Sequence, residues 1–283
     1  MAHAGAGATV CRPMPKVRLD TLLHQRGLYP SRSAAAAAVL AGAVRLGGPD
    51  ANPHARPLKP GLQVGEDVEI ETAEAARYVS RGGTKLENAL AGLRIDVAGR
   101  HALDVGASTG GFTDCLLQQG ATAVAAVDVA YGELAWSIRE DERVTVIERQ
   151  NARELTREQL PFAPDLVVAD VSFISLTKLL PALREVVADR FDALLMVKPQ
   201  FELGRGRVGR GGVVREAPLR REAIRTVAAA AAAGGWSVLA AVPSGLPGPK
   251  GNRETFLHLA EPTRGGVDDL DALALGAEPE DAS

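Results

Sequence analysis

Residues 101–117 read HALDVGASTGGFTDCLL and decide the fold of most of this chain. An apolar run that ends at Asp104 predicts a buried strand, and the apolar pattern after Gly111 predicts a helix. Between the two, Gly106 and Gly110 let the backbone come close to a ligand, and the first turn of the helix offers unpaired N–H groups. The stretch therefore predicts a strand–turn–helix unit that cradles a nucleotide.

The same alternation of strand-like and helix-like segments continues on both sides of this unit. We predict strands at 101–104, 123–128, 144–148, 165–170, 193–198, 236–242 and 254–259. We predict helices at 84–93, 111–119, 133–139, 176–188 and 218–233. Strands that alternate with helices are typical of an α/β fold with a doubly wound, mostly parallel sheet.

The N-terminal part of the chain has a different pattern. Short helical segments, the second capped by Ser31, precede small strands with alternating apolar residues, which predicts a compact α+β module. The tail is acidic and punctuated by Gly and Pro, so we expect it to be mobile. The domain prediction is a disordered leader at 1–15, the α+β module at 16–72, a linker at 73–80, the α/β domain at 81–260 and the acidic tail at 261–283.

Composition excludes several classes of protein. With 283 residues, of which 46% are hydrophobic, the chain can fill a substantial core. It has no uninterrupted apolar run of about 18 residues and no signal-peptide pattern, so we expect neither a membrane span nor secretion. Cys11 and Cys115 are the only cysteines, which argues against a disulfide framework and favours a cytoplasmic location. No spacing of His and Cys indicates a metal site.

The net charge of −3 hides an asymmetry along the chain. Residues 1–64 contain eight Lys or Arg against two acids, whereas residues 261–283 contain seven acids against one Arg. A basic N-terminal module is compatible with a polyanionic partner such as nucleic acid, and also with an ordinary solvated surface. Charge alone leaves both readings open.

The nucleotide cradle suits two cofactors. Asp128 ends the second strand 22 residues after Gly106, where an acid can accept hydrogen bonds from ribose hydroxyls of NAD or of S-adenosylmethionine. Two details favour S-adenosylmethionine. The glycines read GASTGG rather than GxGxxG, and Asp104 would repel a pyrophosphate but suit a cationic sulfonium–amine ligand. Alternatively, the glycines only pack the helix on the strand.

Two ionisable residues finish buried strands that lead to the same crevice. Asp170 follows LVVA, and Lys198 follows LLMV, with Pro199 forcing Lys198 into an extended backbone. Such a lysine needs partners unless it is a surface residue beside a turn. Lys85 lies in the first turn of a predicted helix and Glu254 starts the last strand. The sequence alone does not place either of them in the crevice.

A glycine-rich cationic loop follows Lys198. Residues 204–215 read GRGRVGRGGVVR. A flexible basic segment beside the crevice suits a phosphate backbone, and it could equally be a solvated linker.

Six sequence blocks, in order, resemble the TlyA family of ribosomal RNA methyltransferases, historically labelled hemolysin A. These blocks are YVSRGGTKL, LDVGASTGGFTDCLL, DVAYGELAW, VVADVSFISL, VKPQFELG and LPGPKGNRETFL. The N-terminal module resembles an S4 RNA-binding domain, and the rest resembles an FtsJ-type (RrmJ-like) domain. The resemblance implies a Rossmann-like S-adenosylmethionine-dependent methyltransferase with a small N-terminal α+β S4 domain.

The resemblance also implies roles for individual residues. The family's catalytic tetrad falls on Lys85, Asp170, Lys198 and Glu254. Binding of the methyl donor falls on Asp104, Gly106, Ser108, Gly110, Gly111, Phe112, Asp128 and Asn151. Phosphate contacts to RNA are expected from Arg18, Arg32 and Arg45 of the S4-like module and from Arg205, Arg207 and Arg210 of the cationic loop.

The implied reaction transfers a methyl group from S-adenosylmethionine to the ribose 2′-hydroxyl of cytidines in 16S or 23S ribosomal RNA, with ribosomal RNA or ribosomal subunits as partners. Our hypothesis is that Lys198 holds the hydroxyl and takes its proton. Three rivals remain: a non-catalytic RNA-binding or ribosome-assembly factor, a membrane-active hemolysin, and an NAD-dependent enzyme. The oligomeric state stays open, and a monomer is compatible with the sequence.

Overall fold

The computed structural model describes residues 16–29, 31–40, 43–47, 58–72, 77–248 and 250–279. The chain divides into two compact units, Met1–Arg77 and Tyr78–Ser283. This division falls inside the stretch 73–80 that the sequence marks as a linker. The expected leader at 1–15 and residues 73–76 lie outside the described residues.

The small unit has the α+β composition that the sequence predicts. Its elements are β1 (Lys16–Arg18), α1 (Leu19–Gln25), α2 (Arg32–Leu40), β2 (Val44–Leu46), β3 (Gln63–Gly65) and β4 (Ile70–Thr72). Strands β1 and β3 pair antiparallel, and so do β2 and β4. Apolar side chains from the helices and strands, among them Leu19, Leu23, Val44 and Val64, form one core cluster. The short β1, which the sequence analysis did not predict, pairs with β3 and packs Val17 against this core.

The large unit contains a single sheet flanked by helices. Its strands are β5 (His101–Val105), β6 (Ala123–Asp128), β7 (Val144–Glu148), β8 (Leu166–Ala169), β9 (Asp192–Val197), β10 (Ser237–Pro243) and β11 (Thr255–Ala260). Its helices are α3 (Arg81–Leu93), α4 (Gly111–Gln118), α5 (Trp136–Arg139), α6 (Leu180–Val186), α7 (Pro199–Glu202), α8 (Ala217–Ala233) and α9 (Leu270–Ala277).

The sheet has seven strands in the order β10-β11-β9-β8-β5-β6-β7. The pairs among β5, β6, β7, β8 and β9 are parallel, whereas β11 runs antiparallel to both of its neighbours. The chain order reverses between β5 and β8, which creates the crevice where ligands bind in open α/β sheets. The predicted α/β fold with a mostly parallel sheet is confirmed.

Side chains on the two faces of the sheet build two separate layers of core. Along β5, Leu103 and Val105 belong to the layer beneath α6 and α8, while Ala102 belongs to the layer beneath α3 and α4. This follows from the alternation of side chains along a strand. Strand β9 is buried along its whole length, as expected for a central strand covered on both faces. Among the described helices, none has the length and hydropathy needed to span a membrane.

Two predicted helices are shorter than expected. The segment 176–188 forms a 3₁₀ turn, Leu176–Lys178, followed by α6, because Pro181 lies in the first turn of that helix and favours a new start there. The segment 133–139 keeps only α5, whose preceding residue Ala135 is extended.

The segment expected to be a mobile tail contains a packed helix, and its residues 280–283 lie outside the described residues. Helix α9 begins after Asp269, whose side chain accepts hydrogen bonds from two backbone N–H groups, and it buries Ala274 and Ala277 in the main core. Just after it, Glu278 forms a buried ion pair with Arg220 of α8, with 2.8 Å between Nε and Oε2. Acidity suggested a solvated tail, but this carboxylate neutralises a buried guanidinium.

Glu278→Gln tests the contribution of the tail to stability. The substitution removes the charge of a carboxylate that contacts the buried Arg220, so the free energy of unfolding should fall, by up to about 3–5 kcal/mol, measured by urea denaturation. The matched control is Asp271→Asn, which breaks an exposed pair with Arg225 on the same two helices and should change stability by less than about 0.5 kcal/mol. Equal effects from the two variants would contradict the assignment.

Candidate active site

The carboxyl ends of β8 and β9 bring two predicted site residues together. Asp170 follows β8 and Lys198 follows β9, and the two strands are parallel neighbours. Lys198 Nζ lies 2.5 Å from Asp170 Oδ1 and donates a hydrogen bond of 3.0 Å to Ser172 Oγ. The lysine side chain is only 11% exposed, so its charge depends on these oxygens.

Lys85 and Glu254 form a second ion pair between Nζ and Oε2, and both residues are buried. Lys85 lies in α3, whose first turn is capped by the Ser80 hydroxyl. Glu254 precedes β11, and a turn at Gly248 closes over it: a Cβ at that glycine would lie 2.5 Å from Glu254 Oε1. The sequence could not place these two charges, and the fold pairs them.

Both ion pairs line one cavity of about 280 Å³. The other residues of its wall are Ser80, Arg81, Gly82, Gly106, Ala107, Ser108, Gly111, Phe112 and Ser172. The four members of the expected tetrad, which are far apart in the sequence, therefore share one pocket beside the glycine-rich turn. One buried and one partly buried lysine therefore stand beside two carboxylates in this cavity.

An adjoining cavity of about 500 Å³ lies over the ends of β5 and β6. Gly106, Ser108, Asp128 and Asn151, all predicted to bind a cofactor, line this cavity. The sequence analysis missed other residues of the wall, including Glu133, Gln150, Arg153, Ser172 and Phe173. Four residues, Gly106, Ser108, Asp170 and Ser172, line both cavities. We call the first the tetrad cavity and the second the cradle cavity.

Size alone does not locate the site. A larger groove, of about 760 Å³, is lined by parts of α6 and α8 and includes none of the predicted site residues in its described wall. Its wall contains three arginines and three glutamates, but no residue of the expected tetrad. The predicted site residues that line a cavity are found in the two smaller cavities.

Gly106 is the residue that lets the two cavities meet. Its φ is +84°, and a Cβ there would lie 2.7 Å from the backbone oxygen of Asp170. Any side chain would therefore push the strand end that carries Asp170 away from the turn. The sequence analysis predicted a close approach of this glycine to a ligand, whereas the close neighbour in the structure is the end of another strand.

Asp128 is fixed by backbone donors. Its Oδ2 accepts from the N–H of Ser108 at 2.7 Å, and its Oδ1 accepts from the N–H of Ala130 at 2.8 Å. A carboxylate offers about four lone-pair positions, so acceptor capacity remains after these two bonds. Ser108 has a positive φ of 46°, and its hydroxyl donates to Glu133 at 3.1 Å.

Two residues predicted to bind the donor lie outside both cavity walls. Gly110 begins α4 with φ +93°, and a Cβ there would lie 2.9 Å from Leu134 Cδ1. In this structure Gly110 packs against side chains at and before α5, and not against the strand. Gly111 and Phe112 line the tetrad cavity rather than the cradle cavity, and Phe112 also packs against Phe256.

Asp104 is the second residue outside the walls. It is fully buried below the turn, where Thr113 donates a hydrogen bond of 2.7 Å to its Oδ2. Its Oδ1 has no hydrogen-bond partner among the described residues. Burial, with a smaller contribution from the charge of Asp170, raises the pKa of Asp104 to about 7. The orphaned oxygen marks a place where a donor group would be favourable.

The predicted RNA-binding arginines have differing environments. In the small unit, Arg18 makes two hydrogen bonds, of 3.1 and 2.6 Å, to Asp20, and these lower the pKa of Asp20 to about 2. Arg32 lies 3.7 Å from the same carboxylate, and Arg45 is exposed on β2. In the large unit, Arg207 pairs with Glu222. The side chains of Arg205 and Arg210 lie outside what the structure describes.

Asp104→Asn tests the buried carboxyl. In the unfolded chain this carboxyl loses its proton near pH 4, whereas in the folded protein it keeps the proton up to about pH 7. Its contribution to stability is therefore complete below pH 4 and is lost as the pH rises towards 7. The amide cannot ionise, and it should gain stability over wild type across this range, by up to roughly 4 kcal/mol. Urea denaturation at several pH values measures the difference. Parallel curves would contradict the shift.

Comparison with known proteins agrees with the geometry. The profile of the S4 domain matches residues 17–64, and that of the FtsJ-like methyltransferases matches residues 78–261. A 16S/23S rRNA (cytidine-2′-O)-methyltransferase TlyA of Mycobacterium tuberculosis is 48% identical over 250 residues, covering 88% of this chain and 91% of the relative. Hemolysin A of Brachyspira hyodysenteriae is 37% identical, covering 86% of this chain and 99% of the relative.

A solved structure agrees over nearly the full length. A Streptococcus thermophilus chain that carries a hemolysin name has a TM-score of 0.70 and 39% identity, covering 94% of this chain and 97% of the other. Its similarity extends across both units. Together with the two profiles and the curated relatives, it shows that this chain belongs to the FtsJ-like methyltransferases, within the TlyA family that also bears the hemolysin A name.

Proposed function

We propose that this enzyme methylates the ribose 2′-hydroxyl of cytidines in 16S or 23S ribosomal RNA, with S-adenosylmethionine as the methyl donor. The observation that carries the proposal is the junction of the two cavities, where the turn at Gly106 meets the ion pair of Asp170 and Lys198. The substrate class comes from the 48% identical relative, whose name states this reaction.

The cradle cavity fits the proposed donor. Its volume of about 500 Å³ lies within the usual range for small-molecule sites. Asp128 retains acceptor capacity for ribose hydroxyls, and Asn151 lies in the same wall. Asp128 and Glu133 give this wall two carboxylates, so the residues suit a cationic ligand. When bound, S-adenosylmethionine supplies an electrophilic methyl group on its sulfonium.

The tetrad cavity would hold the ribose hydroxyl. Lys198, kept in place by Asp170, contacts the 2′-oxygen and takes up its proton as that oxygen forms its bond to carbon. Lys85 and Glu254 form the second ion pair in the wall of this cavity, and each neutralises the charge of the other. Alignment of the hydroxyl accounts for a large part of the rate enhancement, because positioning can lower the activation barrier by roughly 7–11 kcal/mol.

The S4-like unit would bind structured RNA through contacts to the phosphates of the RNA backbone. Asp20 holds the guanidinium of Arg18 and lies near that of Arg32, so the two arginines are ordered before RNA arrives. Phosphate contacts give affinity that falls with salt and position the enzyme without reading a base. Access to a 2′-hydroxyl in a folded helix would require the target nucleotide to leave its stack.

Lys198→Ala tests the chemistry. The variant should lose methyl transfer to purified ribosomal subunits while binding S-adenosylmethionine with wild-type affinity, measured by tritium transfer and by calorimetry. Mapping of ribose methylation in ribosomal RNA identifies the nucleotide. Loss of donor binding in this variant would refute the assignment of Lys198, and wild-type protein that transfers no methyl group would favour a non-catalytic assembly factor.

The double variant Arg18→Gln, Arg32→Gln tests the RNA contacts. Removing two phosphate partners should weaken binding to ribosomal RNA and reduce the slope of log affinity against log salt by about 2. Filter binding between about 50 and 200 mM salt measures the slope. An unchanged slope would exclude these arginines from the interface.

Leakage of dye from liposomes is not expected from any variant, and wild-type leakage would favour the hemolysin alternative.

A further inference from the structure

Ser172 occupies the boundary between the two cavities. It lies two residues after Asp170, at the carboxyl end of β8, and it lines both the tetrad cavity and the cradle cavity. Its side chain is exposed to the crevice, and its Oγ accepts a hydrogen bond of 3.0 Å from Lys198 Nζ. Neither the sequence blocks nor the tetrad includes a role for this hydroxyl.

The hydroxyl holds the head group of Lys198 from a second side. Among the described residues, the ion pair of Nζ goes to Asp170 Oδ1, at 2.5 Å, and its hydrogen bond goes to Ser172 Oγ. The neutral amine, which is the form that can take up a proton, has two N–H groups and one lone pair. The contact with Asp170 alone would let the head group rotate about the N–O direction. With the hydrogen bond to Ser172, on a different residue, the direction of the lone pair is fixed.

The segments that carry the serine and the lysine are tied to each other. Helix α7 begins directly after Lys198, and Glu202 at its end accepts from the Ser175 hydroxyl at 2.6 Å and from the Leu176 N–H at 2.9 Å. Phe201 of the same helix packs against Phe173, with 5.2 Å between ring centroids. The loop that presents Ser172 therefore cannot shift independently of the helix that follows Lys198.

We propose that Ser172 is a positioning residue for Lys198: its hydroxyl directs the lone pair of the Lys198 amine to the boundary of the two cavities, where the ribose oxygen meets the methyl donor. The inference rests on the proposed function, because it names how the base of that reaction is oriented. It assigns Ser172 no contact with the reacting atoms. The loss on substitution should consequently appear in the rate of the bound complex and not in affinity.

Ser172→Ala and Ser172→Thr test the inference in single-turnover methylation of ribosomal subunits at saturating donor. Alanine removes the acceptor and should lower the rate by roughly 10- to 100-fold, the range for a hydrogen bond to a charged group. Threonine keeps a hydroxyl and should stay within about threefold of wild type. Donor affinity, RNA affinity and Tm should be unchanged in both, because Ser172 is exposed. Ser137→Ala, an exposed serine in neither cavity wall, is the control.

An alanine variant with the wild-type rate would overturn the inference. So would an alanine variant that binds the donor more weakly than wild type, because Ser172 would then be a donor-binding residue. A threonine variant as slow as alanine would also overturn it, since the hydroxyl would not be the group that matters. Each of these results leaves the proposed function standing.

A second measurement does not depend on methylation. Acetic anhydride acetylates neutral amines, and mass spectrometry of the peptide that contains Lys198 gives its rate of labelling. Loss of the hydrogen bond to Ser172 should leave the Lys198 amine freer to move and make it label faster, while Lys85, which pairs with Glu254, keeps its rate. Equal labelling of Lys198 in wild type and alanine variant would overturn the inference, even if wild-type protein proved unable to methylate RNA.

Discussion

The site depends on the cost of burying charge. Lys85 and Glu254 are both almost fully buried, and each is tolerable there only because the other is present. Their pairing joins the start of α3 to the start of β11, two elements that are far apart in the chain. The partly buried pair of Asp170 and Lys198 joins the ends of β8 and β9 in the same way. Charge neutralisation therefore sets the geometry of the pocket.

Much of this arrangement could be predicted from the sequence. Strand boundaries in the large unit agree within one residue, because apolar runs bounded by glycine or charge have few alternatives. The rule that ligands bind where parallel strands end led to Asp128, Asp170 and Lys198. The rule cannot find Glu254: β11 is antiparallel, so its first residues lie at the edge where its neighbours finish. Its assignment needed the family resemblance.

Other features were beyond the reach of sequence reasoning for physical reasons. Acidic residues of the tail look solvated in sequence, but Glu278 is buried because Arg220 requires a counter-charge in the core. Gly110 and Gly106 look equivalent in the sequence, but a leucine side chain lies against Gly110 and a backbone oxygen lies against Gly106. Ser172 had no distinguishing pattern, since a serine after a strand is common. In each case the deciding partner is distant in the chain.

The close approach at Gly106 also constrains how this enzyme can evolve. Gly106 and Asp170 line both cavities and lie against each other, so the tetrad cavity and the cradle cavity have a common partition. A mutation that changes the shape of one cavity at this partition therefore also changes the shape of the other. Natural variation in donor affinity should accordingly arise at the far rim of the cradle, around Gln150 and Arg153, while changes in RNA target arise away from the partition altogether.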